Sequence, residues 1–304
     1  MSWFDKALEA SVMSTHLLIR ANLPKHKLLH AHKIAVAFEE RYSAYKENSF
    51  LNTINQQAGQ APLPITPEDY ILFKQCIDAS EQTQSIFDIS IGALSHGAYH
   101  FGFSNQTVAD TKIIQKQKSL VNYRDIVLSK CSIYLKKKGM RLDLGGIGKG
   151  YVAREIAQYL ASEGASRILV DVGGEIVTRG KSYTIAIQDP FSSKHRVMIQ
   201  TSKADTAIST SGNYERFIGS PKYHHILDKA IGTSSSYYSS MTLMQNSWDI
   251  ASLDAYATAL FNQASHTLNP FAIEHRLSVL AIDKQNQIIE ANRENIILKS
   301  LQFL

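Results

Sequence analysis

A glycine-rich turn between a strand-like and a helix-like segment is the feature that most constrains the fold of this chain. It runs from Asp143 to Gly150, reads DLGGIGKG, and has four glycines in its last six positions. Because glycine lacks a Cβ, the backbone here can approach a ligand closely. A helix that starts at the turn directs unpaired N–H groups and its positive dipole end toward it, which favours phosphate. With Lys149 as a mobile cation, the turn predicts an anion site; a tight turn without a ligand is the alternative.

Two common phosphate-binding motifs do not fit this turn. A dinucleotide fingerprint, G-x-G-x-x-G, would place a glycine where the chain has Tyr151. A P-loop would place Ser or Thr after the Gly-Lys pair, where the chain has Gly150. The spacing therefore predicts neither a Rossmann nor a P-loop nucleotide site.

Segments with helical and strand periodicity mix along the whole chain. We expect helices at residues 28–42, 67–83, 151–163 and 252–263. We expect strands at residues 12–21, 126–128, 132–135, 140–144, 167–172, 183–188, 196–201, 206–209 and 277–283. Residues 48–55 have the composition of a turn. Since no linker or repeat divides the chain, we expect an α+β (mixed α/β) fold in one domain over residues 1–304.

Composition argues against several other classes of function. The net charge is +5, and the tight basic run 136–138 has no aromatic partners, so a hairpin tip is a better interpretation than a nucleic-acid surface. Cys76 and Cys131 form no disulfide or metal motif. The chain has no apolar run of about 18 residues, no signal peptide and no lipid-attachment cysteine near its first residue. We therefore expect a cytoplasmic protein that neither spans a membrane nor binds nucleic acid.

Candidate metal-binding and acid–base residues lie in the second half of the chain. Asp254 and Thr258 are four residues apart on an expected helix, so they share one face. Their oxygens suit a hard cation such as Mg²⁺, although an Asp at a helix start is more often a surface residue. His224 and His225 are adjacent, so strand alternation would turn one inward and the other outward. A merely buried, hydrogen-bonded histidine is the alternative reading of this pair.

Taken in order, these segments resemble the ApbE family of FAD:protein FMN transferases. The most specific match is DLGGIGKGY at residues 143–151, which is similar to the family's DLGGIAKGY. Shorter matches to the family lie at residues 13–15, 42–45, 52–55, 87–90, 101–103, 171–176, 187–190, 209–212 and 254–258. Three departures from the family pattern are Ser14 in place of glycine, Phe50 in place of an acid, and Lys229-Ala-Ile-Gly232 in place of Pro-Arg-Thr-Gly.

The resemblance implies a single ApbE-like domain, with two lobes and the FAD site between them as one option. It also implies transfer of FMN from FAD to a Thr or Ser hydroxyl of an acceptor protein, with release of AMP. Mg²⁺ is the implied metal and Mn²⁺ its alternative. Two other activities stay open: an FAD pyrophosphatase that forms FMN and AMP, and a non-catalytic FAD-binding protein.

The resemblance also assigns roles to individual residues. The metal would be held by the side chains of Asp254 and Thr258 and by backbone oxygens of Gly146 and Ala257. His225 matches the catalytic histidine, and an imidazole exchanges protons near neutral pH. The residues expected to line the FAD site are Met13, Tyr45, Phe101, Gly102, Phe103, Asp143 and Lys149.

Overall fold

The computed structural model describes residues 5–214, 216–235, 237–293 and 297–301. In these residues the α+β architecture expected from the sequence is confirmed. The helices are α1 (Lys25–Tyr42), α2 (Phe50–Gln56), α3 (Pro67–Gln82), α4 (Gly92–Ser95), α5 (Thr111–Lys118), α6 (Gly148–Ser162), α7 (Ile250–Leu260) and α8 (Ser265–Glu274). The strands are β1 (Lys6–Val12), β2 (Thr15–Ala21), β3 (Leu63–Pro64), β4 (Ile126–Ser129), β5 (Ser132–Leu135), β6 (Ile168–Val172), β7 (Glu175–Arg179), β8 (Thr184–Gln188), β9 (His195–Gln200), β10 (Thr206–Gly212), β11 (Leu227–Asp228), β12 (Thr233–Ser234), β13 (Tyr238–Gln245), β14 (Ser278–Asp283), β15 (Ile288–Ala291) and β16 (Ile297–Leu301).

The chain forms two compact units. The first unit contains Met1–Glu39, Ile147–Gly212 and Tyr237–Leu304. The second unit contains Glu40–Gly146 and Asn213–Ser236. The chain passes from the second unit to the first inside the glycine-rich turn, between Gly146 and Ile147. One domain over residues 1–304, with the FAD site between lobes, stays a prediction.

The first unit is built around an eight-stranded antiparallel sheet with the order β1-β2-β6-β7-β10-β13-β14-β15. Helices α6 and α7 contact each other and its central strands. Strands β8, β9 and β16 form a separate sheet, and Leu169 of β6 joins a buried cluster with side chains of β8 and β9. Ile168 and Val170, its neighbours, are fully buried outside that cluster. Because side chains alternate along a strand, the central strands are covered on both faces.

The second unit has shorter strands and a smaller core. Strands β3, β5 and β4 form one antiparallel sheet, and β11 and β12 form a hairpin. Helices α4 and α5 contact each other. Their side chains pack with Tyr99, Phe101 and Leu227 in one buried cluster.

The predicted N-terminal strand at 12–21 is a hairpin instead. Val12 pairs with Thr15, which leaves Met13 and Ser14 as a two-residue turn. Both have positive φ, 53° and 58°, as in the type I′ turns that match strand twist. The prediction of one continuous strand is wrong because the alternation of apolar and polar residues runs through the reversal. Serine is less suited than glycine to this φ, so the departure at position 14 carries a local backbone cost.

Two other predictions are wrong, and in both segments a polar side chain bonds the backbone. Residues 48–55, predicted as a turn, contain all of α2 except its last residue, and the Ser49 side chain caps its first turn. Residues 140–144, predicted as a strand, form none. The Leu142 N–H donates to Asn55 Oδ1 at 2.7 Å, and the Asn55 amide donates to the Leu142 carbonyl at 3.1 Å. One amide side chain thus bonds Leu142 as a neighbouring strand would, while Arg141 forms an isolated bridge with Ile91 and the Asp143 N–H donates to the Ile89 carbonyl at 2.9 Å.

The other predicted helices and strands are confirmed, with shifted ends. Strand β13, the longest of the described strands, was not predicted because its sequence YSSMTLMQ mixes serine and threonine with apolar residues. Ser240 and Thr242 are nonetheless buried. The polar residues in this segment therefore obscured the pattern of a strand that lies in the core. Within the described part of the chain, no helix is long and apolar enough to cross a membrane.

Candidate functional site

Helix α6 begins inside the glycine-rich turn, at Gly148 rather than at the predicted Tyr151. Its N-cap residue, Ile147, makes no capping hydrogen bond through its side chain. The Gly150 N–H instead donates to Asp254 Oδ2 of α7 at 3.0 Å. The sequence predicts that the start of this helix attracts a negative group, and the Asp254 carboxylate accepts the hydrogen bond from this N–H.

Gly150 allows α6 and α7 to pack closely. A Cβ at this position would lie 2.5 Å from the Ile250 carbonyl oxygen, 2.9 Å from the Asp254 Cβ and 3.0 Å from the Ala251 Cα. Two of these three atoms belong to the α7 backbone, which cannot move without displacing the helix. This glycine therefore serves helix packing, whereas the sequence suggested only ligand access.

Gly150→Ala is expected to lower the free energy of unfolding by about 1–3 kcal/mol, the usual cost of overpacking a tight contact. Thermal or urea unfolding would measure the loss. Gly145→Ala is the control, because its Cβ would meet only the Asp143 side chain, with Oδ1 at 3.1 Å and Cγ at 3.9 Å. Equal losses in the two variants would show that the contact between α6 and α7 is not the cause.

Two buried carboxylates share Lys149 at the start of α6. Lys149 Nζ lies 2.5 Å from Glu175 Oε1, and the Glu175 side chain is 0% exposed. Asp254 is also buried and acts on Glu175 through its charge. The expectation of a mobile cation is wrong, since Lys149 is held by Glu175 of β7.

The pKa values of both carboxyls report this crowding. Burial raises the pKa of Glu175, and the charge of Asp254 raises it further, against the effects of Lys149 and the Ser209 hydroxyl. Burial also raises the pKa of Asp254, against Lys149 and the Gly150 N–H. Two carboxylates with one lysine leave excess negative charge in a buried place, and a proton or a cation relieves it.

The oxygen donors on α7 fit a hard cation. Asp254 is buried, and Thr258 lies one turn later on the same face, half-buried. In the described residues no group of three or more His, Cys, Asp or Glu side chains could hold a metal. A cation here would therefore need hydroxyl, carbonyl, phosphate or water oxygens, which Mg²⁺ accepts and structural Zn²⁺ does not. The Ala257 carbonyl accepts the Phe261 N–H at 3.0 Å, and Gly146 belongs to the second unit, so their ligand roles stay predictions.

In the second unit, Asp143 organises the start of the glycine-rich turn. Its Oδ1 accepts the Gly145 N–H at 2.8 Å. Its Oδ2 accepts the Ser95 hydroxyl at 2.6 Å and lies 3.1 Å from His96 Nε2. Burial alone would raise the pKa of Asp143, but His96 beside it and the hydrogen bonds from the Ser95 hydroxyl and the Gly145 N–H hold it below its usual range. Asp143 is thus a carboxylate that shapes the turn, and its contact with FAD stays a prediction.

Aromatic rings of the second unit form a cluster beside an open cavity. The Tyr45 ring lies 5.3 Å from those of His96 and Phe103, measured between centroids. The cavity has a volume of about 360 Å³, and its lining residues are Ala44, Tyr45, Glu47, Asn52, Gln56, Phe103 and Arg141. Two predicted FAD contacts, Tyr45 and Phe103, therefore lie together at a space that a planar ring could enter.

The other predicted FAD contacts have mainly local roles in the structure. Phe101 is 4% exposed and stacks on Tyr99 with 5.4 Å between centroids. Gly102 has a φ of +80°, and a Cβ there would lie 2.7 Å from the Tyr45 ring. The Met13 N–H, in the hairpin turn of the first unit, donates to Glu39 Oε2 at 2.8 Å. Their contacts with FAD stay predictions.

The two histidines differ in environment. His224 is fully buried, its Nε2 lies 3.0 Å from the Ser235 carbonyl, and its Nδ1 accepts the Ile226 N–H at 3.3 Å. His225 is half-buried, and its Nδ1 lies 3.1 Å from the Arg216 carbonyl. A carbonyl can only accept, so a neutral His225 bonded in this way carries its proton on Nδ1 and leaves Nε2 as the basic nitrogen.

The loop that departs from the family pattern after His225 is anchored in the second unit. Lys229 Nζ lies 2.8 Å from Asp88 Oδ2, and the Asp88 side chain is 0% exposed. The Tyr99 hydroxyl donates to the Gly232 carbonyl at 2.9 Å. Lys229 thus has a defined ion-pair partner in this chain.

Sequence reasoning missed two site residues. Glu175 lies in the segment 171–176 that matches the family, but it received no role, and a lone acid in an apolar strand was the available signal. The sequence around His96 indicated no role for it, because its partner Asp143 is distant in the sequence.

Residues 13–280 match the family model described as the ApbE family. The chain belongs to the ApbE family. A relative of this ApbE protein, "FAD:protein FMN transferase" of Klebsiella pneumoniae (strain 342), is 30% identical over 199 residues, which cover 64% of this chain and 62% of the relative. Another relative with that name, from Treponema pallidum (strain Nichols), is 29% identical, and 58% of it is covered. This ApbE chain therefore spans less than two thirds of the length of both relatives.

The fold of this ApbE chain also matches solved structures. The crystal structure of the ApbE protein from Thermotoga maritima MSB8 superposes with a TM-score of 0.87 at 22% identity, over 95% of this chain and 97% of that one. A flavin transferase ApbE from Vibrio cholerae gives a TM-score of 0.81 at 23% identity, over 94% and 96% of the two chains. At these identities the likeness shows the fold.

Proposed function

We propose that this ApbE protein transfers FMN from FAD to a Thr or Ser hydroxyl of an acceptor protein and releases AMP in a Mg²⁺-dependent reaction. The observation that carries the proposal is the excess of buried negative charge beside the glycine-rich turn, where Asp254 and Glu175 share Lys149. Such a place takes up a divalent cation, and the pyrophosphate of FAD is a natural partner of a cation and a lysine. The name shared by the curated relatives supports the same reaction.

The reaction balances with the groups of this chain. The acceptor oxygen forms a bond to the FMN phosphorus, the P–O bond to AMP breaks, and AMP leaves with the bridging oxygen. The acceptor's hydroxyl proton passes to Nε2 of His225, whose ring is oriented by the Arg216 carbonyl. Lys149 contributes positive charge to the pyrophosphate. A cation held by Asp254 and Thr258, with backbone oxygens of Gly146 and Ala257, would stabilise charge on the phosphate oxygens.

The same site could give two other outcomes. Attack by water on the same phosphorus would make the protein an FAD pyrophosphatase that releases FMN and AMP. Binding without attack would make it a non-catalytic FAD-binding protein. Incubation with FAD, Mg²⁺ and a candidate acceptor, followed by mass spectrometry, separates the three. Covalent FMN on the acceptor supports the proposal, free FMN with an unmodified acceptor supports hydrolysis, and intact FAD supports binding alone. Mn²⁺ replaces Mg²⁺ in a parallel reaction.

Lys149→Gln is expected to weaken FAD binding about 10- to 100-fold, because a hydrogen bond to a charged group contributes about 1.5–3 kcal/mol. Glutamine keeps a donor for Glu175, so the buried carboxylate is not left without a hydrogen bond. Titration at saturating Mg²⁺ would measure the affinity, with the melting temperature recorded separately. Lys27→Gln is the control, because Lys27 pairs with Glu163 at the other end of α6. Unchanged FAD affinity in folded Lys149→Gln would remove Lys149 from the binding site.

A further inference from the structure

Glu175 has one oxygen with a partner and one without. Its Oε1 accepts from Lys149 Nζ at 2.5 Å. Its Oε2 is buried and makes no hydrogen bond of ordinary geometry among the residues that the structure describes; the nearby Ser209 hydroxyl acts on the carboxyl and lowers its pKa. Strand β7 places Glu175 opposite Ser209 of β10, in the middle of the sheet. A buried carboxylate oxygen without a partner is costly, so a purely structural ion pair with Lys149 does not account for it.

The charges around Glu175 also do not balance. Asp254, which accepts the Gly150 N–H, acts on Glu175 through its charge, and Lys149 acts on both carboxylates. One lysine therefore serves these two buried acids, and it also acts on the partly buried Asp171. A divalent cation beside them would meet two negative charges and one positive charge. Its affinity should depend on Glu175 and Lys149 in opposite directions.

We propose that Glu175 is a second acidic residue of the cation site at Asp254, in addition to the residues that the family resemblance assigns, and that its charge sets the affinity for the divalent cation. The inference rests on the proposed cation at Asp254 and adds a residue to that site. Lys149 has the opposite effect in the FAD-free protein, because it competes with the cation for the two carboxylates. A pair that only stabilised the fold would leave cation affinity unchanged when either partner was neutralised.

The test is calorimetric titration of the FAD-free full chain with Mn²⁺ and with Mg²⁺. Glu175→Gln is expected to lower the affinity about 10- to 100-fold, the range seen when groups around metal ligands are removed. Lys149→Gln is expected to raise it, and the double variant Lys149→Gln/Glu175→Gln to return it close to wild type. Glu155→Gln is the control, since Glu155 pairs with Arg154 elsewhere on α6, and it should leave the affinity unchanged.

Equal affinities in wild type and Glu175→Gln would overturn the proposal, as would a shift in the same direction for Glu175→Gln and Lys149→Gln. If Glu175→Gln does not fold, the comparison of Lys149→Gln with the double variant still isolates the charge of Glu175, and equal affinities of those two would be decisive against it. Asp254→Asn distinguishes failure of the proposed metal site from failure of the role of Glu175 alone. If it binds the cation like wild type, the proposed metal site itself fails. If it abolishes binding while Glu175→Gln does not change it, only the role of Glu175 fails.

Discussion

His225→Ala is expected to lower FMN transfer by about 10²- to 10⁴-fold, the usual contribution of general acid–base catalysis, with FAD affinity close to wild type. An alcohol is a poor nucleophile near neutral pH, so loss of the base slows attack on phosphorus. The bond between Nδ1 and the Arg216 carbonyl orients the ring, and alanine removes the basic nitrogen. Transfer rates at saturating FAD, together with a separate FAD titration, would measure the two effects.

His224→Ala is the control for this prediction. His224 is fully buried, and its ring bonds the Ser235 carbonyl and the Ile226 N–H. Its loss is expected to cost about 1–3 kcal/mol for a buried group left without a partner. It should lower the melting temperature and spare the activity of the folded fraction. Equal loss of activity per folded molecule in both variants would mean that the pair acts through folding, and His225 would lose its proposed role.

The fold was predictable from the sequence wherever local pattern and tertiary packing agree. Helix α3 is one example, since Thr66 caps it and Pro67 occupies its first turn, as the sequence indicated. Local pattern fails where a side chain replaces a backbone partner. Asn55 bonds both backbone groups of Leu142. The two residues are 87 positions apart, and the sequence around neither of them predicts this contact.

Part of the candidate site was predictable, because some of its residues lie close together in the sequence. Asp254 and Thr258 lie on one helix, so their shared face follows from spacing alone. The partner of Lys149 could not be predicted, because Glu175 lies 26 residues away on a strand whose pairing with β10 is set by the whole sheet. The role of Gly150 in packing was hidden for a similar reason, since α7 follows α6 only after eight strands.

Asp254→Asn is expected to lower Mg²⁺-dependent FMN transfer by about 100-fold or more, because a metal ion contributes several kcal/mol of charge stabilisation and each 1.4 kcal/mol is tenfold in rate. The amide oxygen can still accept the Gly150 N–H, so the contact between α6 and α7 is kept while the charge is lost. Transfer rates over a Mg²⁺ series, with EDTA-treated wild type alongside, would measure the effect. Asp249→Asn is the matched control, because Asp249 is the exposed N-cap of the same helix and asparagine caps equally well.

The same variant also tests the effect of the raised carboxyl pKa values on stability, which needs no activity assay. Burial raises the pKa values of Asp254 and Glu175 in the folded chain, and the charge of Asp254 raises that of Glu175 further. A raised carboxyl pKa adds stability at low pH, below the ordinary value of about 4, and that stability is lost as pH rises through the raised pKa. Metal-free wild type should therefore melt at a lower temperature as pH rises from about 4 past neutrality, and Mg²⁺ should reverse much of the loss. In Asp254→Asn both the pH dependence and the gain from Mg²⁺ should shrink. If the variant keeps the wild-type pH dependence, the crowded carboxylates are not its source.

If wild type stripped of metal transfers FMN at full rate, the reaction does not use the cation that these residues would hold.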